Sequence, residues 1–404
     1  MPGYELMGTE ERQAILDWFD SSNGVLFAHG FDKRRNGIFK VREFEREIAK
    51  VVGTQHAQVV SSGTAALLVA LRAMGVKQGD EVITQAFTFV ATVEAILELG
   101  ATPIITKLDR SLNMDPVHLD QCITPKTKVI VPVHMAGAPA DMDAILAIAT
   151  THQLPVLEDA AQAFGGSYKG RRLGTLGAAG IYSFDFSKNV TTGEGGAIVT
   201  NDRALYERTR ALHDHGHEYN PAVPRGRDTR SFAGLNFRMT EIQAVVGLVQ
   251  LQKLPYILEQ QRKNKQAIKT GLAGCGLEFR LLHDTAGDVA DTLIFYLPAA
   301  QQAARFAQEL AKHEIGTKNL PDAVAWHFAA TWRHMLPVHA CARPAEDEGS
   351  ALIADCACHQ NSDECSCAAL LQRAIALPIN IRMSSGEIET LVAALRSIAG
   401  IVLG

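Results

Sequence analysis

No stretch of the 404-residue sequence approaches the roughly 18 to 20 apolar residues that a membrane-spanning helix requires. No charged-then-apolar leader opens it either. No membrane association is expected, and the cytoplasm is the expected compartment. The sequence also lacks basic charge: its formal net charge is −5, whereas a general nucleic-acid binder presents a basic face or stripe. No nucleic-acid partner is expected, and any anionic substrate must be held by local cations. Internal repeats and low-complexity tracts are missing. Seven cysteines, an odd number in a chain too large to need stapling, do not suggest a disulfide framework. The dinucleotide-binding spacing G-x-G-x-x-G does not occur in the glycine-rich run Gly193-Glu194-Gly195-Gly196, which precedes a strand pattern rather than a helix. A hydride-transferring enzyme is thereby disfavoured.

What is present is apolar content of 47%, enough to bury a large core. Residues Thr9 to Asp20 place Ile15, Leu16 and Phe19 at helical spacing behind a Thr9 cap. From about residue 55 to 200, short apolar runs alternate with helical stretches. The runs are Gln58–Val60, Glu81–Thr84, Thr102–Thr106, Lys128–Val133, Pro155–Glu158, Ile181–Phe184 and Ala197–Thr200. Such alternation predicts an α/β fold with a mostly parallel sheet flanked by helices. Residues 240 to 272 read as one long helix, with a kink or break expected at Pro255. The expected organisation is an N-terminal helix and arm over 1–30, a large domain over 31–255 and a smaller C-terminal α+β domain over 256–404.

Three motifs carry chemistry. Ser61-Ser62-Gly63-Thr64-Ala65-Ala66 is a small-residue turn between a strand and a helix. The free N–H groups and dipole of that helix suit a phosphate, although an ordinary helix cap would look the same. Leu157-Glu158-Asp159-Ala160-Ala161-Gln162 ends an apolar strand in two acids at the usual ligand edge of such a sheet. A carboxylate placed there against a pyridine nitrogen would keep it protonated, and Asp159 is the candidate. Ser183-Phe184-Asp185-Phe186-Ser187-Lys188 leads into Thr191-Thr192-Gly193-Glu194-Gly195-Gly196. A lysine between a strand and a glycine-rich loop can act as a Schiff-base nucleophile in a confined site, whereas a lone lysine is ordinarily solvated.

Taken in order, these blocks, the aromatic Phe89 and Gly234-Leu235-Asn236-Phe237-Arg238 resemble the DegT/DnrJ/EryC1/StrS family of sugar aminotransferases, which are fold-type I pyridoxal 5′-phosphate enzymes. The resemblance implies a large domain with a mixed, mostly parallel sheet and a smaller C-terminal domain. It makes Lys188 and Asp159 catalytic, with Asp159 the partner of the pyridine nitrogen. Phe89 would stack on the cofactor ring, Gln162 would contact its hydroxyl side, and Ser62, Gly63, Thr64, Ala65 and Ser183 would hold its phosphate. Asn236 would reach the phosphate in the other subunit, so a homodimer with shared sites is expected. A dehydratase of the same family would carry histidine in place of Lys188.

Many relatives that act on nucleotide-linked sugars carry an imidazole or amide where this chain has Asp185. Together with the opening Met1 to Leu6 and the arm Phe31 to Asn36, that departure is similar to 8-amino-3,8-dideoxy-manno-octulosonate aminotransferases. The resemblance implies an 8-oxo sugar acid as substrate, glutamate as donor and a place in lipopolysaccharide biosynthesis. A nucleotide-linked keto sugar is the alternative. For the substrate carboxylate the candidates are Arg34, Arg35, Lys40 and Arg238, with Asp185 near the sugar; His215 and His217 could position its hydroxyls or simply cap a turn. The segment from Trp326 to His334 reads as core with a polar edge, or as part of the substrate site. Cys356, Cys358, Cys365 and Cys367, with His359, could close a tetrahedral zinc site and would then define a metal-binding or redox protein. Their central gap is shorter than zinc-ribbon spacing, and metal-free reduced thiols are expected.

Overall fold

A computed structural model describes residues 3–317, 326–332, 334–335 and 366–404. Cys356, Cys358, His359 and Cys365 lie outside the described residues; Cys367 is buried. Helix α1 (Thr9–Ser22) takes in the expected cap Thr9 as its first residue, with Gly8 at the cap position, because the Glu11 carboxylate accepts the N–H of Gly8 at 2.8 Å and closes the first turn from inside the helix. Helix α2 (Lys40–Val52) follows the arm and ends at Gly53 in the left-handed region.

The expected strands form with end shifts of at most three residues: β1 (His56–Val60), β2 (Glu81–Gln85), β3 (Thr102–Thr106), β4 (Thr127–Ile130) and β5 (Leu157–Asp159). After a short hairpin, β6 (Ser167–Tyr168) and β7 (Arg171–Arg172), come β8 (Ala179–Ser183) and β9 (Gly196–Thr200). Two hydrogen-bonded groups, β1-β9-β8-β5 and β3-β2-β4, join through parallel bridges at Ile130↔Val156 and Val133↔Asp159. The result is one mixed sheet in the order β1-β9-β8-β5-β4-β2-β3, parallel except for β9. Helices α3 (Gly63–Ala73), α4 (Ala91–Glu98), α5 (Pro116–Cys122), α6 (Met142–Thr151) and α7 (Arg203–Leu212) flank it. Both sheet faces are apolar, with Val59, Ile83 and Ile130 in one buried cluster and Val60, Val82, Val129 and Leu157 in the other. Burial on both sides explains why the strands read as short apolar runs.

Helix α8 (Glu241–Gly271) runs as one element through Pro255, so the expected break does not occur. The position assigned to a domain boundary therefore falls inside a helix. Beyond α8, β10 (Glu278–Phe279), β11 (Thr292–Tyr296) and β12 (Ala374–Pro378) form an antiparallel sheet. With α9 (Ala300–Lys312), α10 (Ser366–Gln372) and α11 (Ser385–Leu403), this gives an α+β unit around Phe295, Phe306, Ile375 and Leu395. No helix among the described residues is long and apolar enough to cross a membrane.

The arm is not a free basic ribbon. Arg35 has no exposed surface, and its guanidinium stacks over Phe39 at 4.0 Å. It sits 2.8 Å from the equally buried Glu241 carboxylate, in an electrostatic contact rather than an aligned hydrogen bond. Glu241 also accepts the N–H of Lys40 at 2.5 Å, tying the start of α8 to the start of α2. Removing one member of a buried pair leaves an uncompensated charge. Arg35→Ala should therefore cost roughly 3–5 kcal/mol, measured as urea stability; a loss under about 1 kcal/mol would show that the pair is not structural.

Candidate functional site

The sheet's parallel strands deliver their carboxyl ends to one cavity of about 820 Å³. Ser62, Gly63, Thr64, Phe89, Asp159, Gln162, Ser183, Asp185 and Lys188 all line it. They arrive from the turns after β1, β2, β5 and β8 and were separated by as many as 126 positions in sequence, from Ser62 to Lys188.

Strand alternation decides what each acid after Leu157 can do. Glu158 is fully buried and accepts the N–H groups of Gly174, Leu176 and Gly177 at 2.8, 2.5 and 2.7 Å. It also pairs with His134 Nε2 at 3.0 Å. Because His134 Nδ1 accepts the Ala140 N–H, Nε2 carries the proton that it donates to Glu158. Glu158 is thus committed to shaping the 174–177 loop. Asp159, on the opposite side of the strand, faces the cavity and is only 4% exposed. Its Oδ2 accepts the Thr92 hydroxyl at 2.8 Å and its Oδ1 accepts the Ala161 N–H at 3.1 Å. Thr92 in turn accepts the Thr88 hydroxyl at 2.9 Å, which continues the chain toward Phe89. Burial pushes the Asp159 carboxyl above the ordinary range, against the lowering effect of Thr92, Ala161 and the Lys188 charge.

Helix α3 starts beside this acid. Ser62 caps it by accepting the Ala65 N–H at 3.0 Å. Gly63 approaches Ser183 so closely that a Cβ would lie 2.8 Å from the Ser183 Cβ. This contact brings the helix N-terminus against the end of β8. On the facing loop, the Lys188 N–H donates to the Asp185 carbonyl at 2.9 Å. Asp185 Oδ1 accepts the Ser187 N–H at 2.9 Å and the Ser187 hydroxyl at 2.6 Å. Burial raises the Asp185 pKa, but the Ser187 bonds and Lys188 outweigh it and leave the group below its ordinary range. Phe89 is 41% exposed, with Trp326 stacked alongside at a centroid distance of 6.3 Å. Gln162 is oriented by the Ala136 N–H, which donates to its Oε1 at 2.9 Å.

Other expected site residues lie elsewhere. Arg35 is consumed by Glu241 and is not a cation open to a substrate carboxylate. Arg238 donates to Asp214 at 2.5 Å, and it lines a separate cavity with Arg42, Arg46 and Arg210. Arg225 and the Tyr219 hydroxyl reach the same carboxylate, each at 2.5 Å. Arg34, His215 and Asn236 are exposed and do not line the large cavity. Ala65 is buried behind the turn, where its N–H is already used by Ser62.

Several wall residues escaped the sequence reading: Thr88, Thr92, Ser187, Glu194 and Asp291. Thr92 had a signal, since it stands three residues after Phe89 at the start of a helix. His327 belongs to the flagged segment, whose residues 326–329 run beside 86–90: Thr88 and Val90 donate to the carbonyls of His327 and Trp326 at 2.9 and 2.8 Å. Arg333 of that segment lies outside the described residues.

The match to the model of the DegT/DnrJ/EryC1/StrS aminotransferase family covers residues 35–396, and the chain belongs to that family. Pyridoxal 5′-phosphate is the family's cofactor. Among curated relatives, the chain is 42% identical over 259 residues to the spore coat polysaccharide biosynthesis protein SpsC of Bacillus subtilis. That match covers 62% of this chain and 63% of SpsC. It is 44% identical over 213 residues to the GDP-perosamine synthase of Caulobacter vibrioides, covering 52% and 56% of the two chains. The chain thus spans about six-tenths of the length of these curated relatives. The solved aminotransferase of Psychrobacter cryohalolentis superposes with a TM-score of 0.81 at 28% identity, covering 98% of both chains.

The walls fit this cofactor. A capped helix N-terminus offers N–H groups to a phosphate, a buried carboxylate with a raised pKa would gain from a cationic ring nitrogen, and a primary amine shares the cavity. The cofactor-free protein offers a check on the acid. Because the folded pKa of Asp159 is raised, its stabilising contribution is fully present below its unfolded pKa of about 3.9 and is lost as pH rises through the folded value. Asp159→Asn stays neutral. In urea titrations without cofactor it should gain stability relative to wild type near about pH 8 and lose that advantage near about pH 4. An equal difference at both pH values would contradict the placement of the acid.

Proposed function

We propose that this chain transfers an amino group from glutamate to the carbonyl carbon of a keto sugar, working as a homodimer in the cytoplasm. The observation that supports this most is the arrival of Lys188, Asp159 and the N-terminus of α3 at one cavity. In this reading Ser62, Gly63, Thr64 and Ser183 hold the phosphate of pyridoxal 5′-phosphate, Phe89 covers its ring, Gln162 meets its hydroxyl side and Asp159 pairs with its ring nitrogen. When bound, the cofactor supplies the electron sink that makes nitrogen transfer to a ketone feasible.

Lys188 then works as amine and proton carrier. Its Nζ binds the cofactor and afterwards delivers or removes the proton at the sugar carbon that gains nitrogen. Asp159, desolvated and oriented by Thr92 and Ala161, keeps its charge on the ring side of the cavity. The exposed Asn236, outside its own cavity wall, is suited to reach the cofactor phosphate of a second copy.

For the sugar we favour an acid without a nucleotide, 8-oxo-3,8-dideoxy-manno-octulosonate, in surface-glycan biosynthesis; this is supported by the resemblance at Asp185 and the opening segment. Arg34 remains an exposed cation of the arm, beside the exposed Lys33, available to such a carboxylate. A nucleotide-linked keto sugar is the second reading, favoured by the likeness to GDP-perosamine synthase. A panel of both substrates with glutamate, following 2-oxoglutarate release, separates them: turnover is expected with the octulosonate, and turnover confined to a nucleotide-linked 4-keto sugar would reverse the choice. Lys188→Ala and Lys188→Arg should both lower kcat by several orders of magnitude, on the order of the loss of a nucleophile and a general acid–base together. Arginine fails because a guanidinium stays protonated. Retention of a tenth or more of wild-type kcat by either variant would contradict the role.

A further inference from the structure

The segment Gly3–Leu6 forms a short 3-10 turn outside the cavity wall, and its residues grip different parts of the molecule. The Gly3 N–H donates to the Lys188 carbonyl at 3.0 Å. A Cβ at position 3 would lie 2.5 Å from that oxygen and 2.4 Å from the Asn189 carbonyl oxygen. Only glycine permits this approach without moving the loop. Tyr4 stacks on Phe186 with ring centroids 5.0 Å apart and planes inclined by 17°. The Glu5 carboxylate accepts the N–H groups of Ile381 and Arg382, both at 3.1 Å, in the turn after β12. The Leu6 carbonyl accepts Lys253 Nζ of α8 at 2.7 Å, and the same ammonium reaches Glu11 Oε1 of α1 at 2.7 Å.

The Gly3 and Tyr4 contacts meet a loop that lacks helix or strand pairing of its own between Ser183 and Gly196. Within it, Asp185 turns the backbone toward Lys188, and Gln261 Nε2 of α8 donates to Asn189 Oδ1 at 3.3 Å. We infer that Gly3–Leu6 is a positioning element for Lys188, clamping the lysine loop to α8 and to the 381–382 turn. The inference rests on Lys188 being the amine that binds the cofactor. Asp185 and Ser187 set the loop from the cavity side, and the clamp sets it from the side facing the C-terminal unit. Releasing the clamp widens the range of places that Nζ occupies relative to Asp159, while leaving the cavity walls that would hold the sugar in place.

The test uses holoenzyme carrying Gly3→Ala, Glu5→Ala or Glu5→Gln beside wild type. The readouts are the pH midpoint of the visible band of lysine-bound cofactor, the rate at which hydroxylamine removes the cofactor, and kcat and KM separately. Gly3→Ala and Glu5→Ala should each move the midpoint by about half a unit or more and speed removal about fivefold, the scale of one hydrogen bond. In both, kcat should fall while KM for the sugar holds. Glu5→Gln keeps an acceptor oxygen and should lie close to wild type. Wild-type midpoints and removal rates in Gly3→Ala and Glu5→Ala would overturn the inference, as would a lowered Tm with an unmoved midpoint. A wild-type protein without the band would refute the Lys188 reading itself, so the two failures are distinguishable.

Discussion

Two adjacent carboxylates at the carboxyl end of β5 point to opposite sides of the sheet, and the site depends on that division. Glu158 is buried without exposed surface, and three backbone N–H groups with His134 offset the cost of desolvating it. Those bonds fix the 174–177 loop that feeds β8 and, through it, the lysine loop. Asp159 has fewer partners and keeps its face toward the cavity. A one-residue slip of β5 would bring Leu157 into the place of Glu158 or Ala160 into the place of Asp159, so that either the loop would lose its acceptor or the cavity its carboxylate.

The large-domain strands were legible because both sheet faces are covered, so each strand appears as a compact apolar run. The cavity-lining motifs were legible because each sits at the end of such a run, where a parallel sheet presents its ligand edge. Sequence reading was weakest for the charged arm. Arg35 looks like an available cation beside Arg34, but its partner Glu241 lies more than two hundred positions away. Arg238 is similarly claimed by Asp214, whose pairing with Arg225 and Tyr219 depends on loops without a periodic pattern. Pro255 does not break α8. Its place within a long helix is tolerated here by packing on both sides of the position, since Leu254, Ile257 and Leu258 are all buried.

Long-range ties also explain how the C-terminal unit is held to the cavity. Helix α8 carries Glu241 at one end against the arm and Asn264 farther along, where its amide donates to the Asn380 carbonyl at 2.9 Å. Arg280 crosses from the C-terminal unit to the Met135 carbonyl at 2.7 Å, beside the residues that line the cavity. Burial lowers the Arg280 pKa even with Tyr296 and Asp288 opposing it, so this guanidinium is held by carbonyl oxygens rather than by solvent. The family match, the likeness to proteins of polysaccharide and amino-sugar synthesis, and this cavity are mutually consistent.

The proposed chemistry requires that Lys188 bind the cofactor covalently. Borohydride reduction of the wild-type holoenzyme, followed by proteolysis and peptide mapping, measures this directly. One reduced pyridoxyl label per chain is expected, on the peptide containing Phe186-Ser187-Lys188-Asn189 and at Lys188 within it. A label on any other lysine would contradict the site and the chemistry built on it.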